Sequence, residues 1–287
     1  MSVFTNFATL SYNGATISSN TVTGEILENV SVSKTAVTEE YALGDKIGYV
    51  VSLINSGETP VTGITVSDDL GAYELDGQTL YPLSYLADSL KLFVNGVLQS
   101  EPAVTAGPPL TVSGLEIPAN GSALMVYEVE VTAFAPLGPE SVITNTVTVT
   151  GGGISTALTA SASIGTVDAA DLSVSKALSP LVVSANGEIT YSFLISNAGN
   201  LPVESADEVV LRDDFDPILT DISVNFNGTP WAVGVNYSYD KASGAFATLP
   251  GQITVPAASY TRSEDESVLT VPGTAMLEIK GTLNPQS

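Results

Sequence analysis

The sequence predicts an all-β chain: two tandem Ig-like β-sandwich domains preceded by an N-terminal β-hairpin arm. Three observations carry that expectation. Val, Ile, Thr, Leu and Tyr alternate with Ser, Thr and acids at period two, the pattern of strands with one buried face. Gly, Pro and Asn-Gly break the pattern at short intervals, as a sandwich requires. Third, the pattern occurs twice. Helical spacing is confined to residues 82–90, where Leu83, Leu86 and Leu90 fit one short helix.

The repeats set the boundaries. Val30-Ser-Val-Ser-Lys34 returns as Leu172-Ser-Val-Ser-Lys176. Each Lys is followed by a Tyr (Tyr49, Tyr191), an Asn-x-Gly (Asn55 and Gly57, Asn197 and Gly199) and a Pro (Pro60, Pro202) at matching offsets. Val66-Ser-Asp68-Asp69-Leu70 then matches Leu211-Arg-Asp213-Asp214-Phe215, and Ala123-Leu-Met-Val matches Ala275-Met-Leu. The organisation is an arm over 1–27, a complete domain over 28–166 and a second domain over 167–287. Asn13-Gly14, Asn95-Gly96 and Asn227-Gly228 read as tight turns. Gly151-Gly-Gly153 is a turn before a strand, not a phosphate loop.

Composition narrows the chemistry. The 287 residues carry 31 acids against 8 bases, a net charge of -23, which argues against nucleic acid or an anionic membrane as partner. No Cys and no His are present, so disulfides, thiol catalysis, Ser-His-Asp hydrolysis and Cys- or His-ligated metal sites are excluded. No apolar run of roughly 18 residues suggests a membrane span, and the first residues do not read as a signal peptide. The acids near 207–216 and 264–266 lack calcium-loop spacing and read as solvated faces. We expect no cofactor, no metal and no turnover enzyme.

The quoted motifs resemble a family, the bacterial and archaeal surface-protein repeat known as domain of unknown function eleven. Its pattern is Ser-Val-x-Lys, Gly-Asp, Tyr-x5-Asn-x-Gly, Val-x-Asp-x-Leu and a closing Asn-Thr-Val-Thr-Val strand. The resemblance covers almost the whole chain. It implies an Ig-like sandwich at an extracellular, cell or spore surface, and says little about activity.

The closing strand stands in domain one as Asn145-Thr-Val-Thr-Val149, followed by a glycine turn and residues 154–164. Domain two has no counterpart after its Ala275-to-Leu283 strand. A matching hairpin lies at the other end of the chain: Phe4-Thr-Asn6-Phe-Ala8-Thr-Leu10, the Asn13-Gly14 turn, then Ile17 through Val22 to Ile26. Asn6 falls on Asn145 and Ile17 on Ile154. A sandwich without its last strands has an open edge, and a lone hairpin is not stable in water. The two defects are complementary. We therefore expect the arm of one subunit to complete domain two of the next, with Phe4, Ala8, Leu10, Ile17 and Val22 as donor-strand core. Repetition of that heterologous contact builds a head-to-tail homopolymer. The alternative is an adhesin or surface-layer binding module, of unknown ligand, whose arm is intramolecular or disordered.

Parity finally places a Lys, an Asp and an Asn in each completed core. In domain one these are Lys34, Asp68 and Asn145; at the junction they are Lys176, Asp213 and the neighbour's Asn6. That constellation suits a Lys–Asn isopeptide bond of the kind found in Gram-positive pilins and adhesins, with the Asp moving protons. A buried ion pair and an outward-reaching Lys are the plainer readings. Asn55 and Asn197 are alternative partners, and Asp69 and Asp214 alternative acids.

Overall fold

The computed structural model describes residues 2–26 and 29–283. The arm–domain boundary drawn at 27/28 lies outside the described residues. Among these residues there is no α-helix; one 3-10 turn spans Ser205–Asp207. The chain divides into two compact units, Met1–Pro136 with Ser141–Thr166, and Leu137–Glu140 with Val167–Ser287.

The arm comprises β1 (Ser2–Asn6), β2 (Thr9–Tyr12), β3 (Ala15–Ser18) and β4 (Val22–Ile26). β1 pairs antiparallel with β4, and β2 with β3. They form one hairpin with a one-residue step, since Asn6 faces Val22 but Thr9 faces Ser18. Asn13 and Gly14 both take positive φ (49° and 78°), the conformation a two-residue turn between twisted strands needs.

The first sandwich contains β5 (Val30–Ala36), β6 (Glu40–Tyr41), β7 (Lys46–Asn55), β8 (Val61–Asp68), β9 (Tyr73–Leu75), β10 (Gln78–Leu80) and β11 (Leu83–Tyr85). It continues through β12 (Lys91–Val94), β13 (Val97–Leu98), β14 (Ala103–Thr105), β15 (Leu110–Ile117), β16 (Gly121–Val131), β17 (Val142–Gly151) and β18 (Leu158–Thr166). One sheet runs β13-β12-β16-β7-β5, with β11 also on β16; the other runs β14-β15-β8-β17-β18-β6. Alternation is the cause: along β7, Ile47, Tyr49, Val51 and Leu53 are buried and the residues between them are not. The first and last strands meet, because β18 and β17 lie against β5.

Residues 82–90 are not the expected helix. Leu83–Tyr85 pairs with Val129–Val131 of β16, and Asp88 has φ 63°, which a helix does not accept. A strand and turn bury Leu83 and Leu90 as well as a helix would, while also pairing the backbone of β16.

The second sandwich contains β19 (Leu172–Ser179), β20 (Glu188–Asn197), β21 (Arg212–Asp214), β22 (Leu219–Phe226), β23 (Thr229–Trp231), β24 (Tyr237–Tyr239), β25 (Ala245–Thr248), β26 (Ser259–Arg262), β27 (Val268–Val271) and β28 (Gly273–Leu283). Its main sheet runs β19-β20-β28-β22-β23; a second runs β21-β25-β24; β26 and β27 form a hairpin. Phe193, Phe215, Phe246 and Leu277 anchor its core. The Asn95-Gly96 and Asn227-Gly228 turns join β12 to β13 and β22 to β23, all four residues at positive φ.

Candidate functional site

In domain one, β5 carries Lys34, β8 carries Asp68 and β17 carries Asn145. Lys34 pairs with Val51 of β7, whose side chain is buried, so the Lys points into the core. Val147 of β17 pairs with Asp68, and Asn145 lies two residues away on the same face. Lys34 Nζ donates to Asp68 Oδ2 at 2.8 Å, and the lysine side chain is 0% exposed. Lys34 does not reach outward. The Tyr127 hydroxyl donates to the same carboxylate oxygen, and Asp68 Oδ1 accepts from the Leu70 N–H. The ammonium also stands 4.7 Å from the centre of the Tyr49 ring.

Asn145 is the anomaly in this cluster. It is 0% exposed, and neither Oδ1 nor Nδ2 has a hydrogen-bond partner. The Tyr49 hydroxyl, also buried and unpartnered, adjoins the Asn145 amide without making a hydrogen bond of acceptable geometry. Tyr49 therefore touches both Lys34 and Asn145 and joins them in one cluster. Each unsatisfied buried polar group costs about 1–3 kcal/mol, so an ion pair accounts for Lys34 and Asp68 but leaves Asn145 a liability. Burial holds the Lys34 ammonium below its ordinary pKa of 10.5, against the opposing pull of Asp68 and Asp69.

The alternative partners are occupied elsewhere. Asn55 Nδ2 donates to the Thr59 and Pro118 carbonyls and its Oδ1 accepts from Gly57 N–H. Asn197 repeats this with Leu201, Pro256 and Gly199. Both staple turns. Asp69 accepts from the Gly71 and Thr146 N–H groups, so its carboxylate is committed to backbone.

Domain two builds two thirds of the same centre. Lys176 Nζ donates to Asp213 Oδ2 at 2.5 Å, stands 4.4 Å from the centre of the Tyr191 ring and 5.6 Å from that of Phe215. Its side chain, however, is 41% exposed. Val174 and Lys176 pair with the buried Ile195 and Phe193, so both stand on the core side of the sheet. Yet Val174 is 62% exposed and Leu172 39%. In domain one this face is covered by β17 and β18. β8 has two sheet neighbours, β15 and β17, whereas among the described residues β21 has only β25. The uncovered face of β19 and the unpaired edge of β21 lie where a closing hairpin sits in domain one.

The arm has the complementary defect. Phe4, Leu10, Ile17 and Val22 are all more than half exposed, and Ala8 is exposed. Asn6 faces Val22 across the arm hairpin as Asn145 faces Ala162 across β17–β18.

Parity alone placed the three chemical residues of domain one. It missed Tyr127 as the second ligand of Asp68 and Tyr49 as the residue between Lys34 and Asn145. Both were accessible to the same reasoning, since Tyr127 shares parity with the apolar Ala123 and Met125 of β16. Among the described residues no three of His, Cys, Asp and Glu gather as a metal site, and no helix is long and apolar enough to cross a membrane.

No protein-family model and no curated protein matches the chain. Solved structures match it only weakly. A family 123 glycoside hydrolase from Clostridium perfringens is 13% identical over 49% of this chain and 28% of that chain, with a TM-score of 0.30. The pilus backbone protein RrgB of Streptococcus pneumoniae is 11% identical over 85% of this chain and 57% of that one, with a TM-score of 0.34. BcpA, the major pilin subunit of Bacillus cereus, is 11% identical over 98% and 75%, with a TM-score of 0.36. This chain thus spans less than two thirds of the length of the first two. At such scores the likeness assigns no activity.

Proposed function

We propose that this protein is a structural subunit of an extracellular or surface filament, in which the arm of one copy completes domain two of the next. The carrying observation is the match between donor and acceptor. Domain two exposes the core face of β19 and one edge of β21, and the arm presents an antiparallel hairpin with the apolar pattern of β17–β18, interrupted by a one-residue step after Asn6. Pairing offers β21 a neighbour and buries Leu172 and Val174 against Phe4, Leu10, Ile17 and Val22. Each fully buried side chain of this kind contributes about 1.5–3 kcal/mol, so six half-buried ones contribute on the order of 10 kcal/mol. Association costs a similar amount, which leaves main-chain hydrogen bonds to supply the surplus. The resemblance of the repeats to surface proteins supports a filament outside the cell. The role is architectural, with no turnover chemistry.

Deletion of residues 2–24 tests this reading. The shortened chain stays monomeric by light scattering under conditions where the intact chain polymerises. Polymers that persist without the arm would refute it. An arm seated on its own domain two would instead leave both chains monomeric and the shortened one less stable.

A further inference from the structure

We propose that Lys34 and Asn145 are joined by a self-formed isopeptide bond, with Asp68 as the proton carrier. Four observations support the step: a lysine side chain with no exposure, its 2.8 Å hydrogen bond to Asp68, a buried Asn with two unpartnered amide atoms, and Tyr49 against both. β5 packs against β18 and β17 of the facing sheet, so a bond from β5 to β17 would tie the first strand of the domain to its closing hairpin. Burial also favours the neutral amine.

The atoms balance without any co-reactant. Lys34 Nζ passes one proton to Asp68 along their hydrogen bond and becomes a neutral amine. It attacks Asn145 Cγ, forming the Nζ–Cγ bond and an oxyanion. Asp68 delivers its proton to Nδ2 and takes a second proton from Nζ. The Cγ–Nδ2 bond breaks, Nδ2 leaves as ammonia, and the carbonyl re-forms. Asp68 ends with one proton, and one amide replaces another. Proximity in a dry core supplies the rate, as for other intramolecular acyl transfers. The Tyr127 hydroxyl holds Asp68 in place throughout.

A second bond follows at the junction, carried by the Lys176–Asp213 pair in the open domain; it rests on the head-to-tail reading. Asn6, at the arm position equivalent to Asn145, would bring the missing carboxamide to Lys176. The same chemistry would then make each subunit contact covalent.

Two measurements decide. Intact mass of the denatured arm-deleted chain should fall short of the sequence mass by one ammonia, and proteolysis should yield one peptide joining residues 34 and 145. Full sequence mass overturns the first bond whether or not any variant folds. Asn145→Ala should appear at full mass for its own sequence. For the junction, filaments of the intact chain are boiled in detergent. A ladder on a denaturing gel, lost in Asn6→Ala, is the expected result. Filaments that dissolve to a single monomer band overturn the junction bond and leave head-to-tail assembly standing. Absence of filaments overturns both.

Discussion

Lys34 and Lys176 occupy the same place in their repeats, above a Tyr ring and against an Asp, yet one is sealed and the other half open. The difference is the covering hairpin, so the residue chemistry is set by an element far away in sequence. A titration separates the bonded state from the ion pair. In Asn145→Ala the Lys34 amine remains free, surrounded by Asp68, Asp69, Tyr49 and Tyr127. Its folded pKa lies below the unfolded 10.5, so between those values the unfolded state binds more protons. Stability therefore rises with pH in that window. The rise must be read below pH 10, because burial holds the Tyr49 and Tyr127 protons on and destabilises the fold above it. Urea midpoints of Asn145→Ala should climb as pH approaches 10 from below, while the intact chain, whose Lys34 is an amide on this proposal, lacks that slope. Equal slopes would indicate a free lysine in both. Lys34, Asp68 and Asn145 were legible as a trio because strand parity is strict. The same parity marks Tyr127 as a core residue, but its bond to Asp68 was not legible, since nothing local distinguishes a core Tyr that meets a carboxylate from one that meets only apolar neighbours.

Among the elements of domain two, the burial of β19 contradicts its pattern. Its sequence is that of a core strand, and its counterpart β5 is one, yet described side chains of β19 are almost all exposed. Val174→Glu tests what covers it. In the lone chain the side chain meets solvent, and a surface change of this kind alters stability by about 0.5 kcal/mol or less. Buried in a junction, an unpaired carboxylate costs several kcal/mol. The variant should melt within a degree or two of the parent, as such a change implies, and fail to assemble. Assembly at the parental rate would place the junction elsewhere. The strands and turns of both domains were readable because alternation and Asn-Gly chemistry are local. Residues 82–90 were misread because three Leu at helical spacing also suit a strand and a turn, and only the pairing of Leu83–Tyr85 with β16 settles which.

At the scale of the whole molecule, the arm before domain one resembles the β17–β18 hairpin, and among the described residues β19 of domain two has an uncovered core face. On the proposed reading a single copy carries one uncovered donor and one uncovered acceptor, and their pairing between copies would build chains. On that reading the net charge of -23 would keep such chains apart from one another at neutral pH. Low ionic strength is therefore the condition in which separate filaments are best seen. Negative-stain imaging of the purified intact chain at neutral pH tests the central claim most directly. The account predicts long unbranched filaments with a two-domain repeat, absent from the chain lacking residues 2–24. A field of discrete single particles at micromolar concentration, alike for both chains, would contradict it.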